Sequence, residues 1–225
     1  LSLKSMKKTL LIAGSSGLVG NQLLQLMLEN NSVAKVYTLV RKTQQINHPK
    51  LEEIIFDFND INAYQNHPKI DATFCCLGTT IKKAGSQQKF EQVDFQYPLQ
   101  LAKNTKSSAF SIISAMGADS HSSIFYNKIK GKLEDELKKL NFDTLNIFQP
   151  SLLVGNRAEH RLGESIAIAI MPKLDFLLVG GLKKYRSIKV ENVAKAMLKA
   201  TIDNLKSKTY TSDEIQALAD NYINS

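Results

Sequence analysis

Cysteine is almost missing from this chain: Cys75 and Cys76 are the only two, and they are neighbours inside an apolar run. Adjacent cysteines build neither a disulfide framework nor a spaced metal-ligand pair, so a stapled secreted fold and a cysteine metal centre are both set aside. A reducing cytoplasm is the expected home, and no metal site is expected. Long apolar runs are missing too. A spanning helix needs roughly 18 apolar residues, and "IAIAIM" from Ile166 to Met171 stops at Pro172 and Lys173. No membrane is therefore expected as a partner. No secretory leader is visible, since Lys7 and Lys8 precede a short apolar stretch that runs into glycines rather than a cleavage site. "MKKTLL" from Met6 reads as a natural start, with Leu1–Ser5 as extra residues ahead of it. Arginine is confined to Arg41, Arg157, Arg161 and Arg186, so the formal charge of +8 comes almost wholly from lysine. No basic cluster is interleaved with aromatics, which argues against nucleic acid. A lysine excess of this kind suits a solvated surface or the attraction of an anionic cofactor.

What is present is an alternation. Strand-like runs at Thr9–Ala13, Lys35–Val40, Glu53–Phe56, Ala72–Leu77, Phe110–Ser114 and Thr144–Phe148 are interleaved with helical patterns at Leu18–Glu29, Gln87–Lys103 and Phe125–Leu140. Strands alternating with helices imply βαβ units and a parallel sheet. The 225 residues suit one α/β domain, Rossmann-type and doubly wound with a mostly parallel sheet. Residues 1–150 or so form its nucleotide-binding core, and about 151–225 a small C-terminal, substrate-side region. After Pro150 a charged loop, "GNRAEHRLGE" from Gly155 to Glu164, leads through Gly180–Gly181 to a strand-like piece at Arg186–Val190 and a helix at Val193–Ile202. A last helix should start at Thr211, where Thr211 and Glu214 have capping-box spacing.

The stretch "TLLIAGSSGLVGNQLLQ" holds Gly14, Gly17 and Gly20 at the point where the first strand gives way to the first helix. One glycine permits the tight turn, one lets the backbone approach a pyrophosphate, and one lets the helix pack on the strand. The helix then points its free N–H groups and positive dipole end at the phosphates. A second strand follows about twenty residues on, as a dinucleotide fold requires. That strand ends in Arg41 and Lys42 with no acid. An acid there would hold the 2′-hydroxyl of NAD, whereas cations attract the 2′-phosphate of NADP, so NADP(H) is the expected cofactor. Asp57 and Phe58 end the third strand beside the adenine, and Gly78 lets the fourth strand's exit lie close to the cofactor.

For chemistry the sequence offers a tyrosine and a lysine four apart. On a helix such residues share a face, and a nearby cation favours the phenolate of a group that ordinarily titrates at about 10. Tyr126–Lys130 and Tyr185–Lys189 both have the spacing. The first pair opens the helix after the fifth strand, on the cofactor edge, while the second lies in a strand-like segment where residues four apart do not couple. Ser114, at the end of the fifth strand, is placed to polarise a substrate carbonyl.

Taken together, Gly14-x-x-Gly17-x-x-Gly20, Ser114 and Tyr126/Lys130 resemble the short-chain dehydrogenase/reductases. "CCLGTT", "GAD" at Gly117–Asp119, "YNKIKGKLE" from Tyr126 and "RLGE" at Arg161–Glu164 resemble an atypical branch of that family, that of the Tat-interacting oxidoreductase and sugar-epimerase-like proteins. The resemblance runs from about Lys8 to Ala200. It implies that Ser16, Gly17, Leu18 and Val19 cradle the pyrophosphate, that Arg41 and Lys42 hold the 2′-phosphate, and that Leu77 and Gly78 line the ribose. It also implies that Tyr126 moves a proton, that Lys130 binds the nicotinamide ribose, and that Leu153 and Arg161 touch the cofactor. The chain departs from the family pattern in having Ala115 beside Ser114 instead of a serine pair, and Asp94 where an asparagine is usual.

The expected function is hydride transfer between NADP(H) and a small carbonyl or alcohol substrate. The alternatives are an NADPH-sensing binding protein without turnover, and an epimerase or isomerase with a retained cofactor. The short tail leaves little material for a closed pocket, so a small or loosely held substrate is expected. Helices Gln87–Lys103 and Phe125–Leu140 either pair in a homodimer or form the surface of a monomer.

Overall fold

A computed structural model describes residues 7–60, 69–105, 107–155, 175 and 178–223. Seven strands form one parallel sheet: β1 (Lys8–Ala13), β2 (Val33–Val40), β3 (Leu51–Ile55), β4 (Ala72–Cys75), β5 (Ala109–Ile113), β6 (Thr144–Gln149) and β9 (Lys208–Thr211). Their order is β3-β2-β1-β4-β5-β6-β9, and every pairing is parallel. β7 (Leu153–Val154) and β8 (Ile188–Lys189) pair as a separate two-stranded ribbon.

β1 shows why the sheet is covered on both sides. Its residues alternate between two cores, as a strand's side chains must. Leu10 and Ile12 pack with Leu23 and Met27 of α1 (Leu18–Glu29), Val193 and Met197 of α6 (Val190–Ile202), and Ile215 of α7 (Ser212–Asp220). Leu11 and Ala13 face the other way, into a core with Leu99 and Leu101 of α4 (Tyr97–Asn104) and Leu133 and Leu137 of α5 (Phe125–Lys138). The doubly wound Rossmann-type sheet expected from the alternation is what forms.

The chain runs outward from β1 through β2 to β3, then returns to β4 on the other side of β1. That reversal leaves a crevice beyond the carboxyl ends of β1 and β4, the place where open α/β sheets hold ligands. Two short helices, α2 (Ile81–Ala84) and α3 (Gln87–Glu91), follow β4.

The structure departs from the sequence expectations in three places. The helix expected over Gln87–Lys103 is interrupted by a π turn at Gln92–Gln96, which leaves Asp94 buried. Residues 208–211 add a seventh strand that the polar "KTYT" does not announce, so the C-terminal part extends the main sheet itself. Tyr185 closes a 3₁₀ turn (Gly180–Tyr185) rather than lying in a strand. The capping box does start α7: the Glu214 carboxylate accepts the Thr211 N–H at 2.9 Å.

Candidate active site

The turn between β1 and α1 is tight enough to need its glycines. Gly14 has φ +88°, and a Cβ there would lie 2.5 Å from the carbonyl carbon and oxygen of Cys76, so the exits of β1 and β4 run in contact. A Cβ on Gly20 would lie 2.1 Å from the Gly14 carbonyl oxygen, which shows that this glycine lets α1 sit against the turn. Gly17 is different. Its Cβ would meet nothing closer than that same oxygen at 3.3 Å, so the space it leaves faces the crevice. Gly17 caps α1 without a side-chain acceptor, and the first turn holds no acid. The helix N–H groups therefore meet the crevice with no built-in partner from a capping side chain.

The crevice has a volume of about 940 Å³. It brings together Gly14, Ser16 and Gly17 from the turn, Arg41 and Lys42 from beyond β2, Asp57 and Phe58 from beyond β3, and Leu77 and Gly78 from beyond β4. Leu18, Val19 and Gly20 stand behind the turn within α1, the last two buried. Leu153 lies in β7, paired with Ile188, and is not among the lining residues. Arg161, the rest of "RLGE" and the Ile166–Met171 run lie outside the described residues.

Several lining residues carried no sequence signal. Ser15, 1% exposed, accepts hydrogen bonds from Thr38 and from the Gln44 amide, each at 2.6 Å, and so ties the glycine turn to β2 and the segment after it. Asn59 accepts from the Tyr97 hydroxyl at 2.7 Å and from the Gln92 amide at 2.9 Å, closing the wall between β3 and the π turn. Lys83 and Lys89 add two further cations to the lining. The Ser15 and Asn59 contacts join residues distant in sequence.

The expected chemical residues sit on or against α5. Tyr126 is half-buried and packs on Phe90, ring centroids 5.6 Å apart. One turn on, Lys130 is buried with its Nζ 2.7 Å from Oδ1 of Asp94. The second Asp94 oxygen accepts the Thr79 N–H at 2.8 Å, fixing the loop that carries Leu77 and Gly78. Burial alone would push the Lys130 ammonium down; the Asp94 carboxylate beside it, with a smaller contribution from Tyr126, holds it above the usual lysine value. Burial pushes the Cys75 thiol up to about 12 and the Cys76 thiol up as well, so both are neutral thiols at physiological pH.

Ser114, expected to polarise a substrate carbonyl, is engaged within the fold. It is 6% exposed, and its hydroxyl donates to Oε1 of Glu134 at 2.5 Å. Glu134, equally buried, also accepts the Gln149 amide at 2.9 Å. The single Ser114 proton is thus spent inside the fold, tying β5 to α5 and β6, and no donor for a carbonyl oxygen remains on it. The adjacent position, from which the other face of the chain could be reached, is Ala115.

No family model matches the chain. Protein HTATIP2 of Rattus norvegicus is 33% identical over 205 residues, spanning 87% of this chain and 81% of that protein. The chain belongs to the atypical short-chain dehydrogenase/reductase family. The mitochondrial protein FMP52 of Candida albicans is likewise 33% identical, over 71% of this chain and 73% of its own. Its counterpart in Meyerozyma guilliermondii is 29% identical over 95% of this chain. Solved structures agree on the fold of this family. Human epimerase family protein SDR39U1 with NADPH superposes with a TM-score of 0.62 at 16% identity, covering 89% of this chain and 72% of that one. WbmH of Bordetella bronchiseptica with NAD+ gives 0.68 at 16% identity, covering 95% and 80%.

These relatives correct one expectation. Several FMP52 proteins are named mitochondrial, which overturns the cytoplasmic assignment. The assignment rested on unpaired cysteines, and reduced thiols report only that a compartment is reducing, not which compartment it is.

As a short-chain dehydrogenase/reductase the chain should hold a nicotinamide dinucleotide, and its residues fit one. The uncapped α1 start and the open space at Gly17 suit a pyrophosphate. Cations at the β2 end and the wide crevice suit the adenosine half.

Proposed function

We propose that the protein is an oxidoreductase that uses NADP(H) to interconvert a small carbonyl compound and its alcohol. The observation that carries this reading is the crevice itself: an uncapped helix start and a glycine turn at one end, and Arg41 and Lys42, both exposed and both lining it, at the other. Arg41 and Lys42 favour a 2′-phosphate over a bare ribose. A bound nicotinamide would supply or accept the hydride. Tyr126 would exchange a proton with the substrate oxygen, and Lys130 would hold the ribose side of the site. With the Ser114 proton committed to Glu134, Tyr126 works on that oxygen without help from the serine.

The same commitment favours a second reading, a protein that binds NADPH and reports its presence without turnover. Both a serine proton and the lysine charge are engaged within the fold.

The NADP(H) assignment is tested by titrating NADPH and NADH into the protein and into Arg41→Ala. Exposed charge contacts contribute about 1 kcal/mol or less each after screening, so Arg41 and Lys42 together should favour NADPH by about tenfold. That preference should fall to about threefold in Arg41→Ala, where Lys42 remains, and should shrink at high salt. Equal affinities in the parent would refute it.

A further inference from the structure

The segment that carries Arg41 and Lys42 is held at two points, and neither hold uses the cations. Residues 41–48 belong to no helix or strand. On one side the Gln44 side-chain amide donates to Ser15 Oγ at 2.6 Å, inside the glycine turn. On the other, the Glu53 carboxylate of β3 accepts the Gln44 backbone N–H at 3.0 Å and also the Thr43 hydroxyl. Gln45, next along, has φ 56°, a left-handed conformation uncommon for a residue other than glycine. Its N–H goes to the Thr43 hydroxyl oxygen at 3.1 Å, and backbone of this kind persists where its surroundings over-determine it. Arg41 and Lys42 are both exposed, and among the described residues neither has an acidic partner. We propose that Gln44 is a positioning residue for cofactor selection: its bond to Ser15 fixes Arg41 and Lys42 relative to the glycine turn, and the preference for a 2′-phosphate depends on that bond. This inference rests on the NADP(H) reading of the crevice.

The physical argument concerns spacing. In NADP(H) one ribose joins the pyrophosphate side to the 2′-phosphate, so a site that reads both needs two anion subsites at a set separation. Here the glycine turn and the start of α1 meet the first, and Arg41 and Lys42 meet the second. Along the chain these subsites are separated by the whole of α1 and β2; the Gln44–Ser15 bond joins them directly. The acceptor is itself held in place, since buried Ser15 also accepts from the buried Thr38 hydroxyl of β2 at 2.6 Å. Preorganisation then decides the energetics. A fixed segment leaves only the two cationic side chains to be ordered when a phosphate arrives, whereas a loose one adds its backbone to the entropy lost. The effect should fall on the 2′-phosphate alone, because the pyrophosphate is met by backbone N–H groups of the turn and helix. Gln44 should therefore govern selectivity more than overall affinity.

The test compares adenosine 2′,5′-bisphosphate with 5′-AMP, which differ only in the 2′-phosphate, by calorimetric titration into the cofactor-free full chain. The parent should bind the bisphosphate about tenfold more tightly. Gln44→Met keeps the length of the side chain and removes the donor, and the ratio should fall to about threefold. Ser15→Ala should give the same fall, and Ser15→Ala/Gln44→Met no further one, because each variant removes the same bond. A role in stability alone would weaken both fragments together and leave the ratio at about tenfold, which would overturn the proposal. Losses that add in the double variant would overturn it too. Should Ser15→Ala fail to fold, as judged by circular dichroism, Gln44→Met carries the test, since its side chain is only half-buried and lies outside any helix or strand. Equal binding of the two fragments by the parent would sink the NADP(H) reading and this inference with it. A preference that the parent shows and Gln44→Met keeps would overturn the inference alone.

Discussion

At the β1–α1 turn the chain presents backbone: Gly14, Gly17, uncapped helix N–H groups and a crevice open to solvent. Around α5 it presents side chains, and these are buried and already bonded to one another: Lys130 to Asp94, Ser114 to Glu134, Glu134 to Gln149. The first region is arranged for something that arrives from outside. The second is arranged to hold its own charges in fixed places, with Tyr126 left at its edge. Backbone recognition tolerates changes in side chains around it but not changes in the glycines. A buried charge network behaves the other way, because each lost partner strands another buried polar group.

The comparison breaks most sharply at the glycines. In Gly20→Val the new Cβ starts 2.1 Å from the Gly14 carbonyl oxygen, so the turn cannot close. We expect a loss of about 3 kcal/mol or more of stability, measured by denaturant unfolding. In Gly17→Val the nearest atom lies at 3.3 Å, and the fold should survive, as judged by circular dichroism, while NADPH binding disappears. Normal binding by Gly17→Val would mean that the nucleotide site has been misplaced.

Ser114→Ala sharpens the other half. If the hydroxyl serves the Glu134 network, its loss should cost about 1–3 kcal/mol of stability and change turnover per folded molecule by less than about tenfold, well short of a lost catalytic group. A stable variant with turnover reduced a hundredfold would restore Ser114 to the chemistry.

The first strand and helix, the parallel sheet and the Arg41–Lys42 end were legible because each lies within one local pattern: period two in β1, period three to four in α1, glycines at the junction. The Thr211/Glu214 cap was legible for the same reason, as a signal four residues long. What was not legible depends on distance. In "EQVDFQYP" the one local signal of a break is Pro98, which has no N–H to give to the turn before it, and nothing else there marks the π turn at Gln92–Gln96. Asp94 is 36 positions from Lys130, and Ser114 is 20 from Glu134. Ser114 has the residue type and strand-end position of a catalytic serine, but which way its hydroxyl turns is decided by the acid on the neighbouring helix. β9 was missed because "KTYT" has one large apolar side chain, Tyr210, stacked on Phe148 with centroids 5.0 Å apart, and edge pairing with β6 supplies the rest.

The smallest effect belongs to the C-terminal cap, remote from both regions. Thr211→Ala should cost about 1 kcal/mol and leave cofactor binding alone. The cap should also weaken in acid. Burial pushes the Glu214 carboxyl up, but the hydrogen bonds from Lys208 and Thr211 outweigh it and hold the group below its usual value. A carboxyl depressed in the fold contributes stability above its unfolded value and loses it as pH falls through the folded one. The melting temperature of Glu214→Gln should accordingly vary less than that of the parent in the acid range, and identical acid profiles would contradict this.

The proposed oxidoreductase activity depends on Tyr126 exchanging the proton. The most direct measurement is the consumption of NADPH by the parent and by Tyr126→Phe across a panel of small aldehydes, ketones and quinones. General acid–base catalysis contributes about 10²–10⁴-fold in rate, and the account predicts a loss in that range for Tyr126→Phe with NADPH affinity nearly unchanged. Tyr185→Phe, with the same lysine spacing in a 3₁₀ turn, should match the parent. Equal rates for parent and Tyr126→Phe on an accepted substrate would contradict the role of the phenol. A parent that binds NADPH yet reduces nothing would leave the sensor reading in its place.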